Sequence, residues 1–175
     1  YAPRASGITY LDYDQDGDYD LLVGFSRMRC TASDADCIFD EPRVRLFRND
    51  GGSAQNRVTF RLRGEGAYGY SNSLAIGAVV RVTVGGMTQT REIQSGFGHN
   101  TIQLPIEATF GLGEACVMDR VEISWPDLDR STMVFNNVPA NYVYTLSERD
   151  GITSWEAMTV QSNLTQRHDR IGAPA

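Results

Sequence analysis

The densest chemistry in the chain lies in Asp12-Tyr13-Asp14-Gln15-Asp16-Gly17-Asp18-Tyr19-Asp20. Carboxylates at 12, 14 and 16 recur at every second position, so a curled backbone brings them to a common point. Gly17 supplies the freedom for the sharp turn. Asp18 can offer its backbone carbonyl, and Asp20 a closing carboxylate. A cage made only of oxygens suits calcium, which takes six to eight of them at roughly 2.3–2.6 Å in tolerant geometry. Magnesium demands a stricter octahedron and more water. Without a cation, carboxylates this close repel one another. The bland alternative is a solvated acidic turn. The opening positions look like a helical calcium hand, but Val23 stands where that motif places a bidentate glutamate. Apolar, strand-like sequence flanks the loop on both sides, so the expectation is a calcium loop between β-strands, with a mainly structural ion.

Other reactive groups are sparse. His99 and His168 are the two histidines, and Ser95 is near the first without a nucleophile elbow around it. The pairs Asp119/Glu122 and Asp127/Asp129 fall at strand or turn positions and read as solvated. No catalytic residue is therefore assigned. Cys30 and Cys37 flank the short insert CTASDADC; a disulfide between them would pin it, as in an oxidising compartment. Zinc is the rival for close cysteines, but no histidine is near in sequence. Cys116 is left as an odd thiol. Tyr68, Tyr70 and Phe97 sit in glycine-rich loops, where they could stack on sugar rings or pack over a sandwich edge. Asn163-Leu164-Thr165 is a glycosylation sequon of small weight.

The elements that must position these groups read as strands. Ile8–Leu11 leads into the acidic loop and Leu21–Phe25 leaves it. Val44–Arg48 ends at the turn signal Asn49-Asp50-Gly51-Gly52. Val58, Phe60 and Leu62 alternate with Thr59, Arg61 and Arg63. Val80, Val82 and Val84 repeat the pattern, and Gly85-Gly86 turns into Thr88–Gln94. Val121, Ile123 and Trp125 alternate with Arg120, Glu122 and Ser124; Val134-Phe135 and Tyr142–Leu146 follow. No helical periodicity competes, so the fold class is all-β. Gly64–Ser73 reads as a long loop. From about Asp150 regularity fades, although Trp155, Met158 and Val160 keep the segment from being solvent-like.

Composition narrows the function. The chain has 175 residues, 41% hydrophobic and 22% charged, enough for a packed core. A formal net charge of -6 argues against nucleic acid as partner. No apolar run is long enough to span a membrane as a helix. Every basic side chain other than histidine is arginine; a GC-rich genome accounts for this as readily as a preference for forked ion pairs. The chain opens at Tyr1, which reads as a mature or excised piece of a longer precursor.

The segment ITYLDYDQDGDYDLLVG, followed by VRLFRNDGG, resembles one FG-GAP/VCBS repeat. That family builds β-propeller blades with a loop of the form D-x-D-x-D-G-x-x-D, matched here by Asp12, Asp14, Asp16 and Asp20. The pieces NRVTFRLRG, SNSLAIGAVVRVTVGG, QTREIQSGFG, FGLGEACVMDRVEISWP and NVPANYVYTLSE resemble the ASPIC/UnbV domain. The resemblance implies a secreted, extracellular or cell-surface protein and no reaction. It also implies three parts: a repeat over 1–55, a β-sandwich over 56–149, and an extension over 150–175 that packs on the domain or on a neighbour. A single blade leaves exposed edges. It must pack on the second domain, pair with another chain, or belong to a longer protein. The expected function is thus a non-catalytic calcium-binding structural or adhesion module, a subunit of a surface or filamentous assembly with protein partners. A calcium-dependent carbohydrate-binding module and a hydrolase accessory domain are the alternatives.

Overall fold

In a computed structural model the described residues are 4–14, 18–26, 43–51, 54–96 and 103–158. Among them eleven strands and no helix occur. In chain order these are β1 (Arg4–Leu11), β2 (Asp20–Ser26), β3 (Arg43–Phe47), β4 (Asn56–Arg63), β5 (Val79–Val84), β6 (Met87–Glu92), β7 (Ala108–Gly113), β8 (Val117–Ser124), β9 (Thr132–Pro139), β10 (Tyr142–Ser147) and β11 (Gly151–Ala157). They form a three-stranded meander, β1-β2-β3, and two four-stranded sheets ordered β11-β10-β4-β7 and β6-β5-β8-β9. The fold is all-β, as the period-two alternation predicts.

The two larger sheets face one another because β4, β5, β7, β8 and β10 each turn one apolar side inward. In β4, Val58, Phe60 and Leu62 are buried while Arg61 and Arg63 are exposed. Val80 and Val82 of β5, Phe110 of β7, Val121 and Ile123 of β8, and Leu146 of β10 fill the same layer. Phe60 anchors its centre, with Phe110 at 6.0 Å edge-on and Tyr144 at 5.8 Å stacked. β10 runs parallel to β4, from Val143 opposite Thr59 to Ser147 opposite Arg63. The other ladders are antiparallel.

β7 carries a clean alternation, with Ala108, Phe110 and Leu112 buried, yet its two in-strand glycines hide it from pattern reading. Regular structure also continues past Asp150, where the sequence pattern fades: Gly151–Ala157 pairs antiparallel with β10. Its side chains are mostly exposed, so an edge strand held by its backbone leaves little hydrophobic pattern to read.

The long loop after β4 is held from within. Glu148, buried, accepts hydrogen bonds from the backbone amides of Glu65 (3.1 Å) and Ser71 (2.9 Å) and from the Ser71 hydroxyl (2.9 Å). Gly64 passes so close to the Asn72 carbonyl oxygen that an added Cβ would collide with it.

Candidate metal centre

The acidic loop joins β1 to β2. Leu11 pairs with Asp20 at the end of the ladder, so the register holds the two ends of the loop side by side. Asp12, Asp14 and Asp20 each bring a carboxylate oxygen within 4.8 Å of the others. Two oxygens on one calcium ion can be at most twice the ion–oxygen distance apart, roughly 4.6–5.2 Å. The three side chains therefore fit a shared calcium ion, and their all-oxygen chemistry fits it as well. Asp12 and Asp14 also hold their Oδ1 atoms away from solvent.

Asp20 is fully buried and has a second task. One oxygen accepts the Tyr13 amide at 2.9 Å and the other accepts the Asn49 amide at 2.8 Å. It thus ties the acidic loop to the turn after β3. Asn49 folds that turn by accepting the Gly51 amide on its side-chain oxygen at 3.1 Å, as the Asn-Asp-Gly-Gly signal predicts. Arg48 borders the cluster, 4.0 Å from Asp14 and 2.7 Å from Asp50.

Asp16 lies outside the described residues. Asp18 is buried and lines a cavity of about 400 Å³ with Asp12, Tyr19, Arg57, Arg61 and Glu107. This cavity separates the loop from the outer face of the β4–β7 pair. Across it, the Tyr19 hydroxyl lies 2.7 Å from the Thr109 hydroxyl and 3.4 Å from Glu107. Thr109 in turn meets Thr59 at 2.8 Å, which explains why a threonine on the outer face of β4 is buried. Burial pushes the Tyr19 phenol up to about 12, and the nearby Glu107 carboxylate and Tyr10 ring add to the shift. Tyr10 tilts against Tyr19 with centroids 4.7 Å apart. Sequence reading gave Tyr19 no role; its place inside the acidic loop was the one available signal.

The remaining sequence candidates are scattered. Tyr68 is 95% exposed, and Tyr70 has the Arg149 guanidinium 5.5 Å above its ring. Phe97, His99, His168, Cys30 and Cys37 lie outside the described residues. Cys116 is a free, exposed thiol.

Residues 68–153 match the family model described as ASPIC and UnbV. This part of the chain is an ASPIC/UnbV domain. It begins downstream of the acidic loop and takes in β5 to β10 with the start of β11. A search of curated proteins and a search of solved structures returned no match. The ASPIC/UnbV domain thus includes β7, the strand whose Thr109 receives Tyr19. No helix among the described residues is long and apolar enough to cross a membrane.

Proposed function

We propose that this chain is a non-catalytic, extracellular calcium-binding module with a structural or adhesive role. Its N-terminal meander acts as an FG-GAP/VCBS-like repeat, docked on the sandwich that carries the ASPIC/UnbV domain. The observation behind this reading is the convergence of Asp12, Asp14 and Asp20 on one point. Bound there, calcium would neutralise the mutual repulsion of the carboxylates and fold the loop. Asp12, Asp14 and Asp20 would hold it from the side chains, with Asp16 and Asp18 completing the set.

The chain's own groups translate that order into docking. Asp20 transmits it to the β3 turn through Asn49, and Tyr19 transmits it to the sandwich through Thr109. The reading places the ion in a structural role because its neighbours are backbone amides and a phenol held by burial, and no positioned nucleophile–base pair joins them among the described residues. Exposed apolar side chains on the meander, including Val44 at 69% and Phe47 at 50%, support a protein partner or self-assembly.

The test is thermal unfolding of the full chain with calcium and with a chelator, together with particle size under both conditions. Calcium should raise Tm by mass action. An identical Tm in both, with the loop equally protected from hydrogen exchange, would refute the calcium reading. A single monomeric size in both would remove the support for assembly.

A further inference from the structure

The sandwich is closed along one side and open along the other. On the closed side β6 and β7 touch, and the Gln89 side-chain amide donates to the Gly111 carbonyl at 2.7 Å across the two sheets. On the opposite side the edge strands β9 and β11 flank a groove of about 540 Å³. That volume falls in the roughly 300–1,000 Å³ range of small-molecule sites.

A backbone irregularity aims an aromatic residue into this groove. The β10–β11 register slips between Thr145 and Leu146, so Leu146 faces Ile152 while Thr145 faces Ser154. Thr153 is the extra residue. An unbroken ladder would place Trp155 opposite Val143, on the outer face. The bulge places it opposite Tyr144, whose side chain belongs to the core. Trp155 therefore faces inward yet is 63% exposed, because among the described residues no strand of the other sheet covers it. Bulges that re-aim a side chain are a recurring device beside binding sites.

The far wall comes from β9. Here Asn137 is exposed and takes φ 54°, a left-handed conformation for which asparagine is among the favoured residues, whereas Asn136 pairs with Arg120 on the outer face of the sheet. The floor is rigid. The Tyr144 hydroxyl donates to the Pro139 carbonyl at 3.0 Å across the sheets. At one end Phe135 packs against Gly151, where an added Cβ would lie 3.5 Å from the ring. Among the described residues no charged side chain lines the groove, in a protein whose formal net charge is -6.

We infer that the groove between β9 and β11 is a binding site for a neutral glycan, with one pyranose ring stacked on Trp155 and its hydroxyls met by the side-chain amide of Asn137. A pyranose has an apolar C–H face and a polar rim. The face matches an exposed indole, whose ring is electron-rich above its plane. The rim matches side-chain amides, which both donate and accept. The uncharged lining selects against uronic acids, sialic acids and sulfated sugars. This site shares no residue with the acidic loop and does not depend on calcium there.

The test is titration of the full chain with cellohexaose, mannohexaose, galactohexaose and chitohexaose, following indole emission and backbone amide shifts. At least one sugar should blue-shift the emission and move the amides of β9 and β11. Trp155→Ala should weaken that binding by more than about tenfold, as expected of an aromatic anchor. Trp155→Phe, which keeps a ring, should retain part of it, and Asn137→Gly, which tolerates the positive φ, should weaken it while the chain still unfolds cooperatively. Binding should persist in chelator and in Asp14→Ala, which separates its fate from that of the calcium reading. Failure of all four sugars to bind at millimolar concentration would overturn the inference. So would unchanged affinity in Trp155→Ala, or a sugar-independent dimer that Trp155→Ala abolishes. Capture of an extended apolar peptide in the groove, with no sugar bound, would overturn it as well.

Discussion

The Tyr19 hydroxyl lies 2.7 Å from the Thr109 hydroxyl, joining the acidic loop to the outer face of a sandwich strand ninety positions away. Burial raises the phenol to about 12, against about 10 for an exposed tyrosine. A raised pKa means that the folded state favours the neutral phenol. The stabilisation is complete below about pH 10 and is lost as pH climbs through about 12. In urea titrations between these limits, the native chain's advantage over Tyr19→Phe should shrink to nothing. An advantage that stays constant to high pH would contradict the raised pKa, and no advantage at any pH would show that this hydroxyl contributes nothing to docking.

Asp20 and Asp14 should behave differently. Asp20 accepts two backbone amides inside the protein, and a hydrogen bond to a charged group contributes about 1.5–3 kcal/mol. Asp20→Ala should therefore destabilise the meander with or without calcium. Asp14→Ala should remove mainly the calcium-dependent rise in Tm and leave the chelated protein little changed. Calorimetry of both variants in calcium and in chelator reads the difference.

Glu148 governs the loop that carries Tyr68 and Tyr70. Glu148→Gln keeps the shape but removes the charge that collects the Ser71 hydroxyl and two backbone amides. The expected loss is about 1.5–3 kcal/mol in urea unfolding, with faster hydrogen exchange at Glu65 and Ser71. Glu148→Ala should be worse, because it leaves buried donors without an acceptor.

The core should respond by volume. Phe60 is 1% exposed and touches rings from two other strands. Phe60→Ala should lower stability by about 3–5 kcal/mol, whereas Tyr68→Ala, at 95% exposure, should stay within about 0.5 kcal/mol of the native chain. Equal effects would contradict the assignment of core and surface.

Much of the strand content is legible where a face is buried and its neighbour is wet. Val58-Thr59-Phe60-Arg61-Leu62 declares β4 by alternation alone, and Val80 with Val82 declares β5. The alternation weakens where that contrast fails. β7 hides behind Gly111 and Gly113, and β11 is an edge strand with little buried surface. Among the acidic residues, spacing indicated which could converge. It could not show that Asp20 would sit at zero exposure beneath two amides, because Asn49 reaches it only after β2 and β3 pair.

By itself the sequence determined what local chemistry can determine: an all-β chain, a turn after Phe47, and a loop whose alternating carboxylates can curl around a cation. The tertiary structure alone decided what depends on register and on distant partners. A bulge of one residue turned Trp155 from the outer face to an open groove, and sheet order left β9 and β11 as the strands beside it. Side-chain direction in a strand reverses with every residue, so a single slip changes what a position can touch, and nothing in the local pattern records where that slip occurs.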